Sequence, residues 1–122
     1  MKFGKMMLAL AATALIAVPA FADNHGGTLK VGVQAPITGS YANEGRGIEN
    51  GVQLLAEQIN AKGGVMGKQI EVIVCDDQGT AMAAAICAKD LVNKGVKMVI
   101  GSYTSTAAEA AQKTYFKAGV LQ

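Results

Sequence analysis

Residues 70–100 of this chain read IEVIVCDDQGTAMAAAICAKDLVNKGVKMVI. The run from Ile70 to Cys75 is apolar and mostly β-branched, which predicts a buried strand. An alanine-rich run from Ala81 to Val92 precedes Gly95, a residue type that commonly ends helices, so this run predicts a helix. Val96 to Ile100 then predicts another strand. A strand, a helix and a strand in direct succession indicate one unit of a parallel sheet.

A further strand and a further helix precede this unit. The short apolar-rich run from Leu29 to Ala35 is closed by Pro36, which predicts a strand. Apolar residues recur at spacings of four, three and four from Ile48 to Ile59. This period marks one face of a helix that Gly63 and Gly64 end.

The same alternation continues downstream. Residues 107–117 predict a third helix, and residues 120–122 look like the start of a fourth strand. The whole pattern predicts an α/β fold, a doubly wound parallel sheet with helices covering both faces. Since a strand begins where the sequence stops, we expect the chain to be the front part of a longer protein.

The first 22 residues form a separate segment. Two lysines, an apolar run from Met6 to Val18 and small residues before Asp23 are typical of a secretory signal peptide cleaved after Ala22. The apolar run is shorter than the roughly 20 residues that cross a bilayer, which disfavours a membrane anchor. We therefore expect export to the periplasm. The predicted organisation is a signal peptide over 1–22, a flexible arm over 23–28 and a folded part over 29–122.

Charge and composition exclude several classes of function. The chain has 11 basic and 9 acidic side chains, and two of the basic ones lie in the signal peptide, so the mature part is formally neutral. A neutral chain without a basic stripe is not expected to bind nucleic acid. His25, the only histidine, lies in the predicted arm. Neither a catalytic triad nor a zinc site can be assembled, and we expect no catalytic residue, metal or cofactor.

Two short motifs favour structural interpretations. Gly45, Gly47 and Gly51 imitate a dinucleotide fingerprint, but that fingerprint should directly follow a strand, and these glycines do not. Asp76 and Asp77 come at a strand end without a third carboxylate or a catalytic lysine that could complete a metal or phospho-acceptor site. They therefore predict a solvated turn that leads into a helix.

The two cysteines leave two alternatives open. Cys75, on the predicted strand, and Cys87, on the following helix, lie at similar depths below the loop between them. A disulfide requires Cα atoms within about 7 Å, which is closer than many helix–sheet contacts allow. A possible disulfide and a pair of buried thiols are both compatible with the sequence.

The topology points to one edge of the sheet as the ligand site. Ligands of open α/β sheets bind beyond the carboxyl ends of the strands, where the winding direction reverses. If the strand order is 2-1-3, this crevice lies between the loop at 36–45 (PITGSYANEG) and the loop at 102–106 (SYTST). The second loop runs into a helix N-terminus, which suits a carboxylate or a polar amide. Simple capping of that helix by Ser105 or Thr106 is an equally good explanation, and the two roles are compatible.

These residues also carry a family resemblance. Over residues 29–122 the chain resembles the amino-terminal lobe of periplasmic leucine/isoleucine/valine-type binding proteins of ABC importers. The resemblance rests on the PITG loop, the INAKGGVMGK turn, the CDDQG strand end and the GSYTS segment after VKMVI, in this order. It implies a type I periplasmic binding protein fold, here an incomplete amino-terminal lobe. It also implies a monomeric, non-enzymatic receptor that captures an amino acid of the branched-chain type, or a small amide, for a membrane permease.

The resemblance implies a ligand site in the segment after the third strand. The position that binds the ligand's α-carboxylate falls on Ser105, and Tyr103, Thr104 and Thr106 line the same segment. Related amide and urea receptors share the arrangement Tyr-x-Ser. A urea or amide receptor is therefore one alternative function. Another is an exported α/β enzyme or redox protein whose catalytic groups lie beyond residue 122.

One position departs from the family pattern. Leucine-type members usually carry a ligand-contacting aromatic residue before the glycine that closes the first loop, whereas this chain has Glu44 before Gly45. If Glu44 faces the cleft, a polar, cationic or amide ligand is favoured, because desolvating a carboxylate without a partner is costly. If Glu44 faces solvent, its charge carries no such preference.

Overall fold

A computed structural model describes residues 27–122 of the chain. The predicted signal peptide over 1–22 and most of the predicted arm over 23–28 lie outside the described residues. Strands and helices alternate through the described part, which confirms the predicted α/β fold. In chain order the elements are β1 (Leu29–Ala35), α1 (Ala42–Ala61), β2 (Ile70–Asp76), α2 (Ala81–Asn93), β3 (Met98–Ile100) and α3 (Ser105–Lys117).

The sheet has the order β2-β1-β3, and both strand pairs are parallel. The chain passes from β1 to one neighbour and then crosses back to the other side, so the winding direction reverses at β1. Leu121 forms a parallel bridge with Met98 on the far edge of β3, where the Val99 amide donates to the Leu121 carbonyl at 2.7 Å. This bridge confirms the start of a fourth strand.

Helices α2 and α3 pack together over one face of the sheet. A Cβ atom built on Gly32 of β1 would lie 3.0 Å from Val99 and 3.2 Å from Leu91 of α2, so a larger residue here would push against the packing of α2. The buried apolar cluster on this face supplies the main hydrophobic core. Its members are Ala88, Leu91, Val96, Val99, Ala111, Tyr115 and Val120.

Helix α1 covers only part of the opposite face. Its Asn60 side chain bonds both backbone groups of Ile70 and thereby ties α1 to the start of β2. On β3, Met98 and Ile100 face the α1 side of the sheet and are 37% and 38% exposed. We expected helices to cover both faces of the sheet. Within residues 27–122 this expectation is wrong at β3, because α1 packs over β1 and β2 and leaves this side of β3 uncovered.

Several predicted boundaries change in the structure, among them the start of α3, which is Ser105 rather than Ala107. Helix α1 begins at Ala42, so Glu44 and Gly45 lie in its first turn and the loop after β1 ends at Tyr41. Gly45 belongs there because a Cβ atom would overlap the Pro36 carbonyl. Strand β3 begins at Met98, two residues later than the pattern predicts. The predicted end of α1 is confirmed, and Gly63 and Gly64 follow it with positive φ angles.

A disulfide joins Cys75 at the end of β2 to Cys87 in α2. Their Cα atoms are 5.7 Å apart, within the range that a disulfide requires. Of the two alternatives that the sequence left open, the structure has the bridge. The crosslink closes the chain segment that contains the loop after β2, and a loop of this size stabilises a fold by about 3 kcal/mol in the chain-entropy account.

Candidate ligand site

Three loops meet at the carboxyl edge of the sheet. They comprise residues 36–41 after β1, residues 77–80 after β2 and residues 101–104 after β3. Because β1 lies between β2 and β3, the loops after β1 and β3 flank the point where the winding reverses. The strand order on which the predicted crevice depends is thus the observed one.

Thr104 caps helix α3. Its hydroxyl oxygen accepts a hydrogen bond from the Ala107 amide at 3.3 Å, and the same hydroxyl donates to the Gly79 carbonyl at 3.4 Å. The alternative in which Ser105 or Thr106 caps the helix is therefore wrong, since the extended backbone of an N-cap residue occurs at Thr104.

Ser105 and Thr106 form the exposed first positions of α3. Amide N–H groups in the first turn of a helix have no carbonyl of that helix to accept them, and the Thr104 hydroxyl accepts only from Ala107, so the Ser105 and Thr106 amides have no acceptor within residues 27–122. Two free donors at the positive end of a 13-residue helix, next to the Ser105 hydroxyl, suit a small anion such as a carboxylate.

Tyr103 meets a second tyrosine that the sequence predictions did not include. The ring centroids of Tyr41 and Tyr103 are 5.5 Å apart, and the ring planes are tilted by 48°. This contact joins the loop after β1 to the loop after β3 across the switch point. An aromatic residue in the PITGSYANEG loop was the one available signal, but its partner lies far away in sequence.

Glu44 is exposed in the first turn of α1. Within the described residues no hydrogen bond or ion pair joins it to Tyr103, Thr104, Ser105 or Thr106. Residues 103–106 of the predicted site are thus consecutive at the start of α3, whereas Glu44 lies in α1. The glycines around it lie inside α1 rather than in a turn after a strand, unlike those of a dinucleotide fingerprint.

The Asp76 carboxylate organises the loop after β1. Its Oδ1 atom accepts from the Ile37 amide at 2.8 Å and from the Thr38 amide at 3.2 Å, while its Oδ2 atom accepts from the Thr38 hydroxyl at 2.5 Å. The Gln78 amide also donates to Oδ1, at 2.9 Å. Burial raises the pKa of Asp76, but these hydrogen bonds outweigh it and hold the pKa below its ordinary value.

A buried polar network centred on Gln34 includes Asp77. The Asp77 carboxylate accepts from the Gly79 amide at 2.9 Å and from the Gln34 side-chain amide at 3.3 Å. Gln34 also donates to the Ser102 hydroxyl at 2.6 Å and accepts from the Tyr115 hydroxyl at 2.5 Å. Burial, and then the negative charge of Asp77, raise the pKa of Tyr115.

The predicted turn that leads into a helix is confirmed, since α2 begins at Ala81, but the predicted solvation of this turn is wrong at Asp77. Asp77 is fully buried, and both carboxylates hold neighbouring loops through internal hydrogen bonds. The local sequence does not contain the reason, because the amide that bonds Asp77 comes from the central strand, 43 residues away.

The arrangement supports binding of a small polar ligand. Its polar groups at the switch point are hydroxyls and backbone amides, flanked by two tyrosine rings. Within residues 27–122 no cluster of three or more histidine, cysteine or acidic side chains could hold a metal ion. In the same range, no helix has the length and apolar character needed to cross a membrane.

Known proteins are similar to this chain in sequence and fold. Residues 28–121 match the family model described as periplasmic binding protein. The Leu/Ile/Val-binding protein BraC3 of Rhizobium johnstonii is 32% identical over 116 residues, which cover 95% of this chain and 32% of that protein. The leucine-, isoleucine-, valine-, threonine- and alanine-binding protein of Pseudomonas aeruginosa is 37% identical over 94 residues, which cover 77% of this chain and 25% of that protein.

A solved structure agrees with these matches. The branched-chain amino acid transporter substrate binding protein LivJ of Streptococcus pneumoniae, crystallised with isoleucine, superposes with a TM-score of 0.73 at 40% identity. The match covers 76% of this chain and 27% of that one. The chain thus spans about a third or less of the length of the proteins it matches.

Proposed function

Because the chain belongs to the periplasmic binding protein family, we propose that it forms the amino-terminal lobe region of an exported receptor for branched-chain amino acids. The names of its relatives support this ligand class: one is a binding protein for leucine, isoleucine and valine, another binds threonine and alanine besides these three, and the LivJ structure contains isoleucine. In this proposal the receptor hands its ligand to the permease of an ABC importer and performs no chemistry on it.

The proposal rests on one observation, which is that helix α3 begins at the switch point. A free amino acid always presents an α-carboxylate, and the unpaired amides of Ser105 and Thr106 together with the Ser105 hydroxyl can bind it. Tyr103 and Thr104 occupy the same segment, where Thr104 holds the helix start in place through Gly79. Ser105 is therefore the main carboxylate ligand in the proposed site, and Tyr103, Thr104 and Thr106 surround it.

Export and lobe closure complete the proposed mechanism. The predicted signal peptide over 1–22 would direct the protein to the periplasm, an oxidising compartment in which the disulfide persists. Binding proteins with two lobes close around their ligand by a hinge motion, and this chain would supply one wall of the cleft. The remaining contacts, including those to the ligand's ammonium group, would come from other parts of the receptor.

A second ligand class follows from Glu44. This residue is exposed in the first turn of α1, one helical turn after Tyr41 of the switch-point loop. If its carboxylate lines the closed cleft, small amides or urea would bind in preference to aliphatic amino acids. A thermal-shift screen of the full mature protein with both compound classes separates the two, since a ligand at 100 times its dissociation constant stabilises by about 2.7 kcal/mol.

The direct test is Ser105→Ala in the full mature protein, with leucine as the titrated ligand. We expect the dissociation constant measured by calorimetry to rise at least about tenfold, the scale of a lost hydrogen bond to a charged group. Gln112→Ala, at an exposed position further along α3, is the matched control and should bind as the unmodified protein does. Equal affinities for the two variants would remove Ser105 from the site.

A further inference from the structure

We infer that Tyr41 is a specificity-determining residue of this site, whose ring selects amino acids with a bulky aliphatic side chain over small ones such as alanine. The inference rests on the proposed function, because it assumes an amino acid bound through its carboxylate at Ser105. It adds a wall to the site and a preference that the contacts of α3 do not supply.

The position of the Tyr41 ring is set by contacts with the other two loops. A Cβ atom built on Gly79 would lie 3.1 Å from Cδ2 of Tyr41 and 3.5 Å from Cγ2 of Thr104. The ring and the Thr104 methyl group therefore lie side by side above Gly79, whose positive φ of 68° favours glycine and whose lack of a side chain leaves room for them. Thr104 directly precedes Ser105, so the Tyr41 ring lies close to the proposed carboxylate site.

The backbone of Tyr41 is equally well held. Its carbonyl accepts a hydrogen bond from the Gly45 amide at 3.0 Å, which makes it the residue that opens α1. The start of the same loop is fixed by the Asp76 carboxylate through Ile37 and Thr38. A loop secured at both ends presents its aromatic ring at low conformational cost on binding.

Much of this ring surface is nevertheless open. Tyr41 is 44% exposed and Tyr103 is 47% exposed, although the two rings touch each other. Two tilted aromatic rings beside a set of polar donors form a surface with an apolar wall and a polar floor, as small-molecule sites commonly have. A ligand held by its carboxylate would place its side chain against this wall, and each buried methylene would tighten binding about fourfold.

The test compares two ligands on the full mature protein by calorimetry. For Tyr41→Ala we expect leucine to bind at least about tenfold more weakly and alanine to lose less than about threefold, because only leucine fills the apolar wall. Tyr41→Phe retains the ring and should bind leucine within about twofold of the unmodified protein. Phe116→Ala removes another exposed aromatic residue, on α3, and should leave both affinities unchanged.

The possible results distinguish a failure of this inference from a failure of the proposed function. If the unmodified protein binds leucine and Tyr41→Ala weakens leucine and alanine by the same factor, Tyr41 acts only on the general shape of the site and the inference is wrong. If Tyr41→Ala leaves leucine binding unchanged, Tyr41 lies outside the site. If the unmodified protein binds no aliphatic amino acid, the proposed function fails and the inference fails with it. Circular dichroism of each variant establishes that it is folded.

Discussion

The loops after β2 and β3 lie side by side at one edge of the sheet, yet they use their polar groups in opposite ways. At the end of β2 and directly after it, the carboxylates of Asp76 and Asp77 accept hydrogen bonds from the protein itself. The segment after β3 leaves the Ser105 and Thr106 amides without an acceptor among residues 27–122. The first is a structural support, and the second has the groups that a ligand can use.

This difference separates two kinds of mutational effect. Removing a buried, internally bonded group should lower the free energy of unfolding, because its partners lose their hydrogen bonds away from water. Removing an exposed donor at the helix start should change ligand affinity and leave stability nearly unaffected. The following predictions concern the internally bonded groups and the free energy of unfolding. The Ser105 and Tyr41 variants described above concern ligand affinity.

The largest effect on stability is expected for Asp77→Ala. The substitution leaves the Gly79 amide and the Gln34 side chain without their acceptor in a buried region. We expect the free energy of unfolding, measured in urea, to fall by about 3 kcal/mol. Asp77→Asn keeps one acceptor oxygen and should lose less. A loss as small as that of an exposed substitution such as Gln112→Ala would contradict the assignment of this loop as a support.

Removal of the disulfide should have the next largest effect. Replacing both Cys75 and Cys87 with alanine frees the segment that holds the loop after β2, and we expect a loss of about 2 to 3 kcal/mol in unfolding free energy. A thiol titration of the unreduced, denatured protein checks the premise. It should find no reactive thiol from these two residues before reduction and two after it. Two reactive thiols before reduction would show that the protein lacks the bridge.

The smallest effect is expected for Asp76 and depends on pH. Its pKa in the folded state lies below the ordinary value of 3.8, so the folded protein binds this proton less readily than the unfolded chain does. The carboxylate therefore contributes stability above that pH, and the contribution disappears as the pH falls through the folded-state pKa. Asp76→Asn should cost about 1 kcal/mol at neutral pH.

Unfolding measurements across the acidic range check this sign. The difference in stability between the unmodified protein and Asp76→Asn should shrink as the pH falls below about 4, because the native carboxyl group becomes protonated. Glu57→Gln, an exposed carboxylate on α1, provides the matched control and should show little change at any pH. A difference that stays constant with pH would mean that the charge of Asp76 does not hold the loop.

Much of the fold could be predicted because its signals are local. Apolar period and β-branched runs located every strand and helix of the described part, and Gly63 and Gly64 marked the end of α1. The start of α1 could not be found in this way. Its first two turns hold two glycines and no apolar period, and Gly45 is helical there because only a glycine fits against Pro36.

The candidate site was only partly predictable. The segment from Tyr103 to Thr106 follows from topology and resemblance, and its placement at a helix start agrees with the structure. Tyr41 was missed because its importance depends on Tyr103, a residue from another loop. The burial of Asp77 was missed for the same reason, since Gln34 is on the central strand and Tyr115 is on α3.

By itself, the sequence determined the alternation of strands and helices and the formal neutrality of residues 23–122, because short periods and composition carry this information, and its motifs provided the family resemblance. Only the tertiary structure decided that Cys75 bonds Cys87, that Thr104 rather than Ser105 caps α3, and that Asp77 is buried. Each of these depends on a distance or a backbone angle set by the packing of the sheet and helices. A linear pattern shows which residues are available, and the packing determines which of them meet.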